Sequence, residues 1–490
     1  MAGRGNPRSF SSRRVLSLRR GLIGLAVLML SLAGGGTSWG SAAPYNPATD
    51  MYSMANVTAQ TGAAAWWSAG YTGAGVDVAL IDTGVSPVAG LATAGKVVNG
   101  PDLSLESQNV AFRYLDTNGH GTFMAGLIAG HDSTLRAPYA NAPASAYRGV
   151  APDARIVSLK VGVADGGVDA SQVIAAIAWV VQHKTDNGMN IRVINLSYGT
   201  NSTQSSTLDP LSYAVEQAWK KGIVVVAAAG NSGYEAEKGL ANPAHDPYVI
   251  GVGGYDTIGT AVVGDDILGT YSAGIPGGGY KAPDFVAAGS HMQGLRVPGS
   301  YIDQSHPEGL IDPRYFRGSG TSEAAAITSG TIALLLQKYP NLTPDQVKRF
   351  LGTNTQKPSG TDADYWGSGE INLTVLAAKT PVAYTQKFTN STGAGSLELT
   401  RGTDHVTDDG AVLTGEQDVF GHVFNPSAMA IAEAAGNSWS GGAWNGNSWS
   451  GNSWSGNSWS RNSWSGNSWS GNSWSGNSWS GNSWSCGSWS

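Results

Sequence analysis

Five short apolar runs, at residues 76–81, 155–161, 192–196, 223–229 and 248–252, interrupt a chain otherwise rich in small and polar residues. They are rich in Val and Ile with little polar alternation, the pattern of strands buried on both faces. Between them, residues 171–181 and 211–220 have helix-like composition and length. Strand and helix in turn predict an α/β fold, a mostly parallel sheet with helices on both faces. Such sheets collect their functional groups at the carboxyl ends of the strands. Asp82 follows the first run and Asn231 the fourth, both at that edge.

The amino-terminal end reads differently. Residues 1–20 hold six arginines and no acid, and the apolar run from Gly21 to Ala33 is too short to span a membrane comfortably. Gly40-Ser41-Ala42 offers small residues to signal peptidase, so residues 1–42 are expected to be a signal peptide, leaving no stable membrane span. Paired arginines at 13–14 and 19–20 keep a twin-arginine route open. Without this leader 23 basic residues face 35 acidic ones, a formal charge of −12 in place of −6. An acidic exported protein has no electrostatic reason to seek nucleic acid. The single cysteine, Cys486, excludes an intrachain disulfide, so stability outside the cell falls to a large core, with bound calcium as a further device.

Three glycine-flanked stretches carry the candidate chemistry: Ile81-Asp82-Thr83-Gly84-Val85, Asn118-Gly119-His120-Gly121-Thr122 and Gly320-Thr321-Ser322-Glu323-Ala324. A serine hydroxyl is a poor nucleophile until a histidine takes its proton, and that histidine needs a buried carboxylate to fix its tautomer. Each stretch alone has a bland reading, as a strand-end turn, a turn histidine or a helix start. An aspartic protease needs two Asp-Thr-Gly loops or a homodimer, and no second loop exists; a zinc peptidase would need His-Glu-x-x-His, which is absent. Taken together, order and spacing point to a triad of Asp82, His120 and Ser322.

These stretches resemble the Asp, His and Ser signatures of the subtilisin-like serine proteases, and more of the chain follows. Val193-Ile194-Asn195-Leu196-Ser197-Tyr198-Gly199 resembles the strand lining that family's substrate cleft, and Val224-Val225-Val226-Ala227-Ala228-Ala229-Gly230-Asn231 the strand ending in its oxyanion asparagine. Gly149-Val150-Ala151-Pro152 and Ala282-Pro283-Asp284 match its turns, and the resemblance spans roughly residues 60–376. It implies a bacterial serine endopeptidase, secreted, extracellular or cell-wall associated, that cuts extracellular proteins through a Ser322 acyl-enzyme. Asp82 would orient His120, His120 would carry the proton, and Asn231 with the Ser322 N–H would hold the oxyanion. The protein or peptide substrate would pair with Ser197, Tyr198 and Gly199, with Tyr198 at the cleft edge and Ala229 and Gly230 lining the pocket before the cut. No metal or cofactor is required for this chemistry, and a structural calcium ion is compatible with it.

Two features depart from the family. Its usual Met-Ala-x-Pro after the serine becomes Glu323-Ala324-Ala325-Ala326. Ala326 suits a helix, whereas Glu323 either points inward against the oxyanion or turns to water or Arg317. About forty residues between the expected cleavage and Asp82 leave no room for a folded pro-domain. The peptidase domain is expected at 43–380. Residues 381–435 read as a β-rich extension or linker, with strand-like pieces at Ser396-Leu397-Glu398-Leu399 and Ala411-Val412-Leu413. From 436 to 490 the chain repeats Gly-Asn-Ser-Trp-Ser, with 11 of its 17 tryptophans at every fifth position from 439. That low-complexity tail is expected to be flexible, a solenoid, or a ribbon whose indoles contact cell-envelope glycans. The rival function is an envelope- or carbohydrate-binding surface protein on a weakly active or silent protease scaffold.

Overall fold

The computed structural model describes residues 44–440 except 234–238, 276–280 and 409–410, together with 443–445 and 447–448. The expected signal peptide, and the repeat beyond residue 448, lie outside the described residues. The apolar runs become the centre of a ten-stranded sheet: β1 (Asp77–Asp82), β2 (Val97–Asp102), β3 (Arg155–Lys160), β4 (Ile191–Leu196), β5 (Val224–Ala228), β6 (Ile250–Asp256), β7 (Ile267–Leu268) and β8 (Phe285–Ala288). β9 (Met292–Leu295) and β10 (Tyr315–Gly318) form a separate antiparallel pair, and β11 (Thr355–Gln356) and β12 (Glu370–Ile371) complete the sheet. Its order is β2-β3-β1-β4-β5-β6-β8-β12-β11, parallel except for β11 and for β7, which pairs with β6.

Every residue of β1 and β5 is buried, as two covered faces require. Helices His120–Ala129 and Thr321–Lys338 pack together on one face, and Ala170–His183 and Pro210–Lys220 on the other. Asp169 and Gln172 close a capping box on the third of these helices, and Asp209 caps the fourth ahead of Pro210. The fifth apolar run extends further than its composition implies, because the ladder with β8 continues through Gly253 and Gly254. A side chain at Gly254 would strike the Tyr271 ring, so low β-propensity residues sit in a strand for steric reasons. Among the described residues no helix is long and apolar enough to cross a membrane.

The segment after residue 380 corrects one expectation. Ser396-Leu397-Glu398-Leu399 is not strand-like: the Ser396 hydroxyl accepts from the Leu399 N–H at 3.1 Å and starts the helix Leu397–Arg401. Ala411–Val412 does form a strand, paired with Thr407–Asp408, and a further helix, Pro426–Ala435, packs on Pro210–Lys220. Arg401 and Asp169 are both fully buried and joined at 2.6 Å, and the guanidinium holds the Asp169 carboxyl below its ordinary range against the pull of burial. Asp169 also caps its helix through the Ser171 N–H at 2.9 Å, and Ser171 Oγ accepts from the Val419 N–H at 3.0 Å. The repeat opens as a three-stranded antiparallel meander with Trp439 opposite Trp444. Trp444 is wholly buried against Phe424, and Trp439 donates to the Ala175 carbonyl at 3.0 Å. Those two indoles serve packing.

Replacing Arg401 with Ala leaves the Asp169 carboxylate buried without its cation. The expected loss is about 3–5 kcal/mol of stability, read by chemical denaturation of the otherwise full chain.

Candidate active site

β1 is the topological switch of the sheet: β3 and β2 lie on one side of it and β4 onward on the other. Its last residue, Asp82, is 1% exposed. The carboxylate accepts from His120 Nδ1 at 2.8 and 3.0 Å and from the Thr83 N–H at 2.7 Å. Burial pushes the Asp82 carboxyl up, and the His120 charge and these donors offset only part of that push. Burial would likewise lower the His120 imidazole, but the Asp82 charge and hydrogen bond outweigh it and raise its pKa.

Local sequence explains the approach. His120 opens its helix after Gly119, whose φ of 108° suits glycine, and a side chain at Gly121 would collide with the Gly84 carbonyl and crowd Asp82. Gly119 cannot cap the helix, so Asp116 does. It accepts from the Gly119 and Thr122 N–H groups, both at 2.7 Å, and from Thr83 Oγ1 at 2.8 Å. Thr83 Oγ1 in turn accepts from the Gly121 N–H at 2.9 Å. Asp116 and Thr83 thus lock the histidine helix to the aspartate strand. Neither stood out in the sequence, because Asp116 lies off the usual cap position.

Ser322 is the second residue of its helix, where the first-turn N–H groups and the positive end of the helix dipole gather. A hydrogen-bond chain pins that helix to the end of β4: Ser197 Oγ donates to the Ser322 carbonyl at 3.2 Å, Asn195 Nδ2 to Ser197 Oγ at 2.9 Å, and Ser329 Oγ to Asn195 Oδ1 at 2.8 Å. Asn231 lies beyond β5. Its Oδ1 accepts from the Thr321 N–H at 2.9 Å and Thr321 Oγ1 at 2.8 Å, which turns the carbonyl toward the helix. Thr321 Oγ1 also accepts from the Gly230 N–H at 3.1 Å. Thr321 was legible only as part of a motif, and its task is to aim the asparagine.

The residues expected to meet substrate divide into two groups. Ser197 and Gly199 lie just past the end of β4 at Leu196. The Tyr198 side chain, by contrast, is 2% exposed, in the field of Asp169, Asp404 and Arg401, so the ring does not stand at a cleft edge. Ala229 is also fully buried, its N–H and C=O engaged by Val252 and Ala241, and the partly exposed Gly230 is the one that reaches the surface.

Glu323 resolves inward. It is completely buried, and neither carboxyl oxygen reaches a hydrogen-bonding side chain. Arg317 is occupied elsewhere, by Asp50 at 2.8 Å. Burial pushes the Glu323 carboxyl up to about 7, with the His120 charge pulling the other way. Tyr271, on the same side, has its hydroxyl 3.1 Å from Ser290 Oγ.

Among the described residues no three His, Cys, Asp or Glu side chains converge on one point, so they provide no carboxylate cluster for a structural calcium ion. Residues 73–395 match the subtilase family of peptidases. The chain is 36% identical over 305 residues to the serine protease AprX of Bacillus subtilis, covering 61% of this chain and 66% of that one. It is 33% identical over 310 residues to subtilisin DY of Bacillus licheniformis, covering 63% and 93%. Mycosin-1 of Mycobacterium tuberculosis is 32% identical over 334 residues, covering 61% and 68%. Matched sequence and observed sheet agree, and the chain belongs to the subtilase family of serine endopeptidases.

Proposed function

We propose that Asp82, His120 and Ser322 are the catalytic triad of an exported endopeptidase acting on extracellular proteins. The observation that carries this reading is the buried 2.8 Å contact between His120 and Asp82, beside the helix that carries Ser322 in its first turn. His120 takes the Ser322 Oγ proton as the hydroxyl oxygen attacks the scissile carbonyl. The Ser322 N–H and the Asn231 amide hold the tetrahedral oxyanion, and the imidazolium then gives its proton to the departing amine. Water, activated by the same histidine, releases the acyl group. An extended peptide pairs with the main chain of Ser197 and Gly199, while Gly230 borders the side chain before the cut. Export is argued from the arginine-rich start and apolar run of residues 1–42.

Glu323 adds a second titration to this centre. Its ionised form raises the His120 pKa further and places negative charge beside the oxyanion site. Because the folded carboxyl titrates near 7 and the unfolded one near 4.5, the folded state binds more protons between those values. Stability therefore falls as pH rises through that window, by an amount on the order of 3 kcal/mol.

A fluorophosphonate probe is expected to label the mature protein and to leave Ser322→Ala unlabelled; equal labelling of both would refute the assignment. Asn231→Ala is expected to lower kcat by roughly 10²–10³-fold, a magnitude that comes from subtilisin itself rather than from this geometry. Glu323→Gln is expected to move the acid limb of kcat/KM to lower pH. The same variant should gain stability over the parent at pH 8 and little at pH 5, as read by denaturation at the two values.

A further inference from the structure

A cavity of about 630 Å³ opens among Lys184, Arg192, Lys220, Lys221, Trp219 and Asp345. Arg192 is the second residue of β4 and Lys221 just precedes β5, so the cavity lies at the strand starts, whereas Asp82 and Ser197 mark the strand ends. Four cations share it with one carboxylate, in a chain whose acids outnumber its bases. The acid is engaged: Asp345 Oδ1 accepts from Trp219 Nε1 at 2.6 Å and Gln386 Nε2 at 2.9 Å, and Oδ2 from the Gln386 N–H at 3.1 Å. Lys220 pairs with Glu216 at 3.1 Å.

Among the described residues Lys184, Arg192 and Lys221 form no ion pair within 4 Å, and burial and then the neighbouring Arg192 and Lys221 hold the Lys184 ammonium below its ordinary range. Capping of carbonyl ends explains part of this cluster. Arg192 donates to the Pro340 and Leu342 carbonyls at 2.6 and 3.0 Å, and Lys184 to the Lys221 carbonyl at 2.5 Å. It does not explain the Lys221 side chain, nor an open cavity ringed by mutually repelling charges. An anion relieves that repulsion, and a doubly charged one matches three cations lining one cavity better than a single carboxylate does.

We infer that this cavity binds a phosphate-bearing ligand, with Lys184 and Lys221 as donors and Arg192 supplying field. Its volume exceeds one phosphate group, so a linked phosphate chain fits. Held there on a phosphate polymer, the enzyme would present its strand-end edge, and the candidate cleft, away from the support.

Calorimetric titration of the mature chain with inorganic phosphate and with tripolyphosphate at low salt tests this. Saturable binding is expected, at least tenfold weaker in the Lys184→Gln/Lys221→Gln double variant and in Lys221→Glu alone. Tighter binding of tripolyphosphate identifies a polymeric source, and equal binding a single phosphate group. Hydrolysis of a short peptide should be unchanged in both variants, which shows that they are folded. No saturable heat, or binding that survives both substitutions, overturns the inference.

Discussion

A carboxylate almost sealed from water, one hydrogen bond from an equally sealed imidazole, is the constraint around which this molecule is arranged. Burying an ion costs several kcal/mol unless donors meet it. The donors must come from a helix that starts against the end of β1, which leaves no room for a side chain at position 121. Glycine there weakens the helix start, and Asp116 and Thr83 restore it from outside the helix. The glycines, the off-position cap and the threonine are one solution to one electrostatic problem.

The second carboxyl of the site is treated in the opposite way. Asp82 receives a hydrogen-bonded imidazole that favours its charge, while Glu323 meets no side-chain donor and is pushed up to about 7. Burial pushes both carboxyls up, and Asp82 alone holds a hydrogen-bonded imidazole against that push. A neutral Glu323 leaves the positive end of the Ser322 helix unopposed, and an ionised one offsets it.

Much of this was legible in the residues. Val- and Ile-rich runs declared the central strands, and Asp82, His120, Asn231 and Ser322 could be placed at strand or helix ends from their flanking glycines. What stayed hidden depends on contacts between distant segments. Nothing local marks Asp116 as a cap, since its partners are a helix it does not belong to and the threonine just past β1. Tyr198 and Ala229 were placed at the cleft by position in a motif, but alternation at a strand end also turns residues inward, and burial decided. Ser396–Leu399 alternates like a strand, yet a hydroxyl able to cap and a buried Arg401 one turn later favoured a helix. For Glu323 sequence left two directions open, because adjacent helix positions differ by about 100° and only packing selects between them.

The Arg401–Asp169 pair has a consequence for how the chain comes to be an enzyme. Its members are 232 positions apart, and the later one lies beyond the region that defines the family. A chain completed from its amino terminus exposes Asp169 long before any cation can meet it. The ion pair at the cap of that helix is therefore completed only by the extension. A peptidase region separated from the extension would keep the Asp169 carboxylate buried with its cation removed, so the two segments share one electrostatic account.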